Sequence, residues 1–222
     1  MEERSKGGLS EMNDTEVLAV ILSYSKERGG AYTAAKKLVS YFGGFSAVLD
    51  AMPAELMRVG ELSESDVVLL KMLPQLFREY MIEKLPGRPE IRSPETAGAY
   101  LLPFFLGETM ETCYALLLDE NERVIECRKM ATGDINVSHL NIRSFVFAAM
   151  DTKAKFVVAA HNHPAGFAIP SDEDRAATKS LYNALASIGV ELADHIIVAD
   201  NDFVSLAEDG FFDKLKRGAA KG

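Results

Sequence analysis

Lys155-Phe-Val-Val-Ala-Ala-His161-Asn-His163-Pro-Ala-Gly-Phe-Ala-Ile-Pro-Ser171-Asp-Glu-Asp174 is the stretch on which the reading of this chain turns. Residues 155–160 read as a short apolar strand of the kind buried on both faces of a sheet. The prolines and glycine of 164–170 break regular structure. Ser171 then offers a cap to a helix over 171–188. In extended chain, residues i and i+2 point the same way, so His161 and His163 present two imidazoles to one point. Asp174 falls in the first turn of the helix, which the loop returns to the strand end. Two neutral imidazoles and a carboxylate are a common ligand set for catalytic zinc, which keeps a further position open for water. Taken singly, the parts are ordinary. Ser171-x-x-Asp174 is also close to a helix capping box, and His-x-His often arises by chance. Their conjunction predicts one zinc ion per chain, although such a set also accepts iron, manganese or cobalt.

Working outward, Thr112-Cys-Tyr-Ala-Leu-Leu-Leu reads as a buried strand, Asp119-Glu-Asn-Glu as a turn and 124–130 as its hairpin partner. Ser93-Pro94-Glu95 opens a helix with a cap followed by proline at the first helical position. A helix is predicted over 142–151 and a strand over 190–198. Strands alternating with helices argue for an α/β domain whose sheet is covered on both faces. Leu85-Pro-Gly-Arg-Pro-Glu is the best linker, and residues 13–84 before it read as helical throughout. Val17, Val20, Ile21 and Tyr24 share one predicted helix face. A second helix over 34–41 is stopped by Gly43-Gly44. Short helices are predicted over 46–51 and 53–59, and a longer one from near Ser63 towards Lys84. The expected organisation is a helical domain over 9–85 and an α/β domain over 93–215.

Composition narrows the function classes. The 222 residues carry a formal charge of −9. Fourteen acids face eleven bases up to residue 90, and nineteen face thirteen beyond it. An autonomous nucleic-acid binder would be expected to show a basic stripe. No apolar run approaches the roughly 18 residues of a spanning helix, and the first residues hold no apolar signal segment. A cytoplasmic setting is expected. Cys113 and Cys127 form no CxxC pair and read as reduced packing residues. HExxH, the HxE and PCxxC pair of zinc deaminases, the P-loop and the dinucleotide-binding glycine fingerprint are all absent. His195 lies in an alternating strand and reads as packed or hydrogen-bonded. His139 lies in a loop, and its spacing assigns it no role.

The spacing H-x-H-x(7)-S-x(2)-D resembles the motif of the JAMM (MPN-type) metalloproteases. The flanks are similar to the RadC branch of that family: His161-Asn-His-Pro-Ala-Gly166, Gly133-x-x-Asn136-x-Ser138, and Asp194-His195-Ile-Ile-Val-Ala-Asp200. The helical segment before residue 85 also resembles the family's N-terminal part. The resemblance implies a JAMM-type, cytidine-deaminase-like mixed sheet flanked by helices, with a small all-α N-terminal domain. It implies zinc on His161, His163 and Asp174, and a peptidase or isopeptidase activity on peptide or isopeptide substrates. Glu111, which heads a strand as in the family, would be the general base, its plain alternative being a solvated strand-end acid. Ser171 would hydrogen-bond the water or the tetrahedral oxyanion.

Two departures stand out. Arg143 is followed by Ser144 where the family usually has an Arg-Glu pair. The phosphate-gripping Gly-x-Gly turn is reduced to Gly60-Glu61, with Glu64 and Asp66 close by, which argues for a packing or partner surface over a DNA clamp. Two rival readings remain open: a DNA-repair or recombination-associated protein without turnover, and a metal-stabilised interaction scaffold.

Overall fold

The computed structural model describes residue 8 and residues 11–133, 141–164, 166–199 and 202–219. Asn136, Ser138, His139 and Asp200, singled out above, lie outside the described residues. The chain divides into two compact units, Met1–Tyr80 and Met81–Gly222.

The first unit holds α1 (Asp14–Leu22), α2 (Arg28–Phe42), α3 (Phe45–Asp50), α4 (Pro53–Gly60) and most of α5 (Glu64–Glu83). Asn13 and Glu16 form a reciprocal capping box that starts α1. Gly43 ends α2 in the left-handed conformation, at φ 95°. The core gathers Leu18, Leu22, Leu38, Leu56 and Leu70. The predicted inner face of α1 is corrected: Leu18 and Leu22 are the buried pair, Val20 is exposed and Tyr24 is 86% exposed. The helix ends at Leu22, so Tyr24 lies beyond the Ser23 cap and leaves the stripe the i+7 spacing assigned to it.

At the turn into α5, Ser63 and Asp66 cap one another. Asp66 accepts the Ser63 N–H at 2.7 Å, the Ser63 hydroxyl at 2.8 Å and the Ser25 hydroxyl at 2.6 Å, with Lys26 Nζ at 3.0 Å. The turn donor that a phosphate would need is already taken. Burial pushes the Asp66 carboxyl up, but these bonds outweigh it and hold the pKa at about 2. An unfolded aspartate titrates near 3.9. The carboxylate's contribution is therefore complete above about pH 4 and is lost as pH falls towards 2, a swing of about 2 kcal/mol. Denaturation of wild type and Asp66→Asn at pH 5, 3 and 2 should show their stability gap closing as pH falls. An unchanged gap across that range refutes this assignment.

The second unit contains α6 (Pro94–Phe105), β1 (Thr112–Leu118), β2 (Val124–Thr132), α7 (Ile142–Thr152), β3 (Phe156–Asn162), α8 (Asp172–Ser187), β4 (Glu191–Ala199), β5 (Asp202–Ser205) and α9 (Phe211–Ala219). The linker stretch 85–90 forms no helix, and Glu90 pairs with Arg123 in a single bridge. The sheet runs β2-β1-β3-β4-β5. β1 is antiparallel to β2 and β3, β3 is parallel to β4, and β5 returns antiparallel. On one face Ala115, Leu117, Val157 and Ala159 pack with Phe145 of α7 and Leu181 and Leu185 of α8. On the other, Leu116, Leu118, Val158 and Ala160 meet Leu101, Phe104 and Phe105 of α6. This is the expected mixed sheet covered by helices on both faces, preceded by a helical region. Neither β5 nor α9 was part of the expectation. β5 fixes α6 closely: a Cβ on Gly98 would run into the Phe203 ring. Among the described residues, no helix is long and apolar enough to cross a membrane.

Candidate metal centre

His161 is the second-last residue of β3, paired with Cys113 of β1 and Ile197 of β4. His163 lies just past the strand, yet its N–H donates to the Val198 carbonyl at 2.8 Å. The chain thus stays extended over both histidines, and their rings fall on one side with centroids 4.9 Å apart. Ser171 caps α8 and places Asp174 at the third helical position, fully buried. His161 Nε2 is 3.0 Å from His163 Nε2 and 3.1 Å from Asp174 Oδ1, and His163 Nε2 is 3.6 Å from Asp174 Oδ2. One ligand atom from each residue lies within 4.8 Å of the others.

Each side chain is held from behind. His163 Nδ1 donates to the Phe167 carbonyl at 3.0 Å, which leaves Nε2 facing the centre. His161 Nδ1 meets His195 Nε2 at 2.9 Å. Asp174 Oδ2 accepts the Ser171 N–H at 2.8 Å and the Ser171 hydroxyl at 2.7 Å. The Ser171 proton is therefore engaged with Asp174, while its oxygen accepts the Asp174 N–H at 3.0 Å. Burial works to raise the Asp174 carboxyl, but the two histidines and Ser171 outweigh it and keep it below the usual range. The Asp174 contact is the main reason His163 sits above the usual imidazole value; burial opposes it, and the Phe167 carbonyl and the charges of Asp174 and Glu111 support it. Burial pushes His195 down to about 3, so that ring is neutral.

Glu111 precedes β1. The β1–β3 register ends at Cys113 opposite His161; continued by two residues it would bring Glu111 level with His163, and the Glu111 charge acts on the His163 ring. The residue that holds it there, Asn162, was not singled out by sequence. The Asn162 side chain points away from its neighbouring histidines. It accepts the Thr112 N–H at 2.7 Å and donates to the Met110 carbonyl at 3.3 Å, gripping the backbone on both sides of Glu111. A polar residue buried at a strand end was the signal that marked it. Thr178 follows Asp174 by one helical turn, the spacing that puts two residues on one face and the one signal in the sequence for it.

The family model of the RadC-like JAB domain matches residues 91–211. The chain belongs to the RadC family. Relatives named UPF0758 protein match almost end to end. That of Shewanella woodyi is 33% identical over 208 residues, covering 94% of this chain and 92% of the relative. That of Shewanella loihica is 32% identical over 212 residues, covering 96% and 94%. That of Shewanella oneidensis is 33% identical over 204 residues, covering 92% and 91%. All the residues of the centre fall inside the RadC-like match. The departure from the RadC pattern at Arg143-Ser144 lies at the start of α7. There Arg143 stands over the Phe147 ring at 5.3 Å and the Ser144 N–H donates to Asn141 Oδ1 at 3.2 Å.

The donor set of this RadC domain fits a divalent cation on an observation independent of family. Asp174 Oδ1 is buried and has no hydrogen-bond partner among the described residues. A buried carboxylate oxygen without a donor is costly. Here it sits beside imidazole nitrogens that carry lone pairs into the same space. Two nitrogens and an oxygen are donors suited to zinc.

Proposed function

We propose that this protein is a metal-dependent amide hydrolase, a peptidase or isopeptidase, with zinc held by His161, His163 and Asp174. The reading is carried by the convergence of their ligand atoms within 4.8 Å. Zinc bound there would bring the pKa of a coordinated water near 7 and polarise a scissile carbonyl. The carboxylate of Glu111 would accept the water proton and return it to the leaving amine nitrogen. Asn162 would keep that carboxylate on the ligand face. The Ser171 hydroxyl, released from Asp174 Oδ2, would donate to the tetrahedral oxyanion. The capping N–H of Ser171 would still hold Asp174 in place.

Elemental analysis of untagged protein should find about one zinc per chain, lost in His163→Ala. Glu111→Gln should keep the zinc and lower cleavage of a peptide library, read by mass spectrometry, by about a hundredfold or more. Equal cleavage by wild type and Glu111→Gln, or no zinc in the wild type after zinc is offered, would falsify the proposal. Zinc retained and stabilising, with no cleavage by wild type, would favour the scaffold reading instead.

A further inference from the structure

We propose that Thr178 and His195 form a hydrogen-bond relay that fixes the proton of His161 on Nδ1 and so presents Nε2 to the metal. The inference rests on the metal-centre reading above and extends it to two residues that would not themselves touch the metal.

The direction of each bond follows from its fixed end. Thr178 Oγ1 lies 2.5 Å from the Asp174 carbonyl oxygen and 2.5 Å from His195 Nδ1. A carbonyl can only accept, so the single hydroxyl proton goes to Asp174, the back-bond a threonine often makes within a helix. Thr178 Oγ1 must then accept from His195, which places the His195 proton on Nδ1. The His195 ring is fully buried, and among the described residues its two nitrogens meet Thr178 Oγ1 and His161 Nδ1 with no carboxylate at either, so the ring is neutral and its Nε2 carries a lone pair. That lone pair accepts from His161 Nδ1 at 2.9 Å. His161 is left with a bare Nε2, 3.1 Å from Asp174 Oδ1.

The two imidazole ligands are thus oriented differently. His163 is set by a loop carbonyl. His161 is set by a chain of side chains that ends on the backbone of Asp174 itself. Two of the three ligands are therefore tied through α8, and the partner of a ligating histidine sets which nitrogen is free.

The test uses the full chain. Zinc affinity is measured by competition with a chromophoric chelator for wild type, Thr178→Val and Thr178→Ser. Long-range proton–nitrogen NMR on 15N-histidine protein reads the tautomers. Thr178→Val keeps the shape and removes the acceptor, and should weaken zinc binding by about 10- to 100-fold. Thr178→Ser should restore it to within a few fold. The wild type should show His195 protonated on Nδ1, with or without zinc. A folded Thr178→Val that binds zinc as tightly as wild type overturns the relay alone, as does a wild-type His195 proton on Nε2. The tautomer result stands even if Thr178→Val fails to fold. A wild type that takes up no zinc overturns the metal centre, and with it this role for the relay.

Discussion

Asp174→Asn is expected to keep the α8 cap and lose the metal. With the amide oxygen in the place of Oδ2, it can still accept the Ser171 N–H and hydroxyl. The amide nitrogen then replaces Oδ1, the oxygen that faces His161 at 3.1 Å. It turns hydrogens towards the point where the histidine lone pairs converge, and an amide nitrogen offers no lone pair of its own. Structural zinc sites with four ligands bind with about 10–16 kcal/mol, or roughly 2.5–4 kcal/mol for each ligand. Losing one ligand should therefore weaken zinc by about 60- to 700-fold, at or above the top of the roughly 10- to 100-fold range that outer partners contribute. Calorimetric or competition titration of the folded variant measures this. Zinc affinity equal to wild type would remove Asp174 from the ligand set and leave it a helix cap alone.

The second large effect lies in the core. Phe145 of α7 is fully buried between the sheet residues Ala115, Leu117 and Ala159 and Leu181 of α8. Phe145→Ala removes a ring that rigid strands on one side and a helix on the other cannot collapse to replace. The expected loss is about 3–5 kcal/mol, part transfer and part cavity. For a unit of this size the melting temperature should fall on the order of 10 °C. Thermal and denaturant unfolding give the value. A cost below about 1 kcal/mol would mean that α7 does not cover this face of the sheet as described.

Where the sequence was readable, a local rule and the tertiary structure agreed. The apolar run of β3 needed only its length and composition. The spacing of His161, His163 and Asp174 needed only the strand period and the position of a helix cap. Ser93-Pro94 and Gly43 marked helix ends because their backbone preferences are strong. Failures came where local signals were ambiguous or absent. On α1, Val17–Ile21–Tyr24 and Leu18–Leu22 both fit a helical stripe, and the choice was made by the helix ending at Leu22. α2 begins at Arg28, ahead of Gly29 and Gly30, residues whose propensity speaks against a helix. β5 is four residues long and exists through its pairing with β4. His195 is buried and hydrogen-bonded as its alternating strand suggested, but Thr178 and Asn162 make their bonds across the fold, and no spacing along the chain joins His195 to His161.

The Asn162 clamp also has an entropic meaning. Its two bonds to the backbone around Glu111 are formed between groups of the protein itself. The freedom lost in fixing the backbone around Glu111 is thus spent while the chain folds, before the proposed metal or substrate would arrive. On the proposed hydrolase reading, catalysis would then start from a high effective molarity of Glu111 carboxylate beside the ligand set. Exchange of one divalent ion for another alters the acidity of what it binds and leaves the base where folding put it.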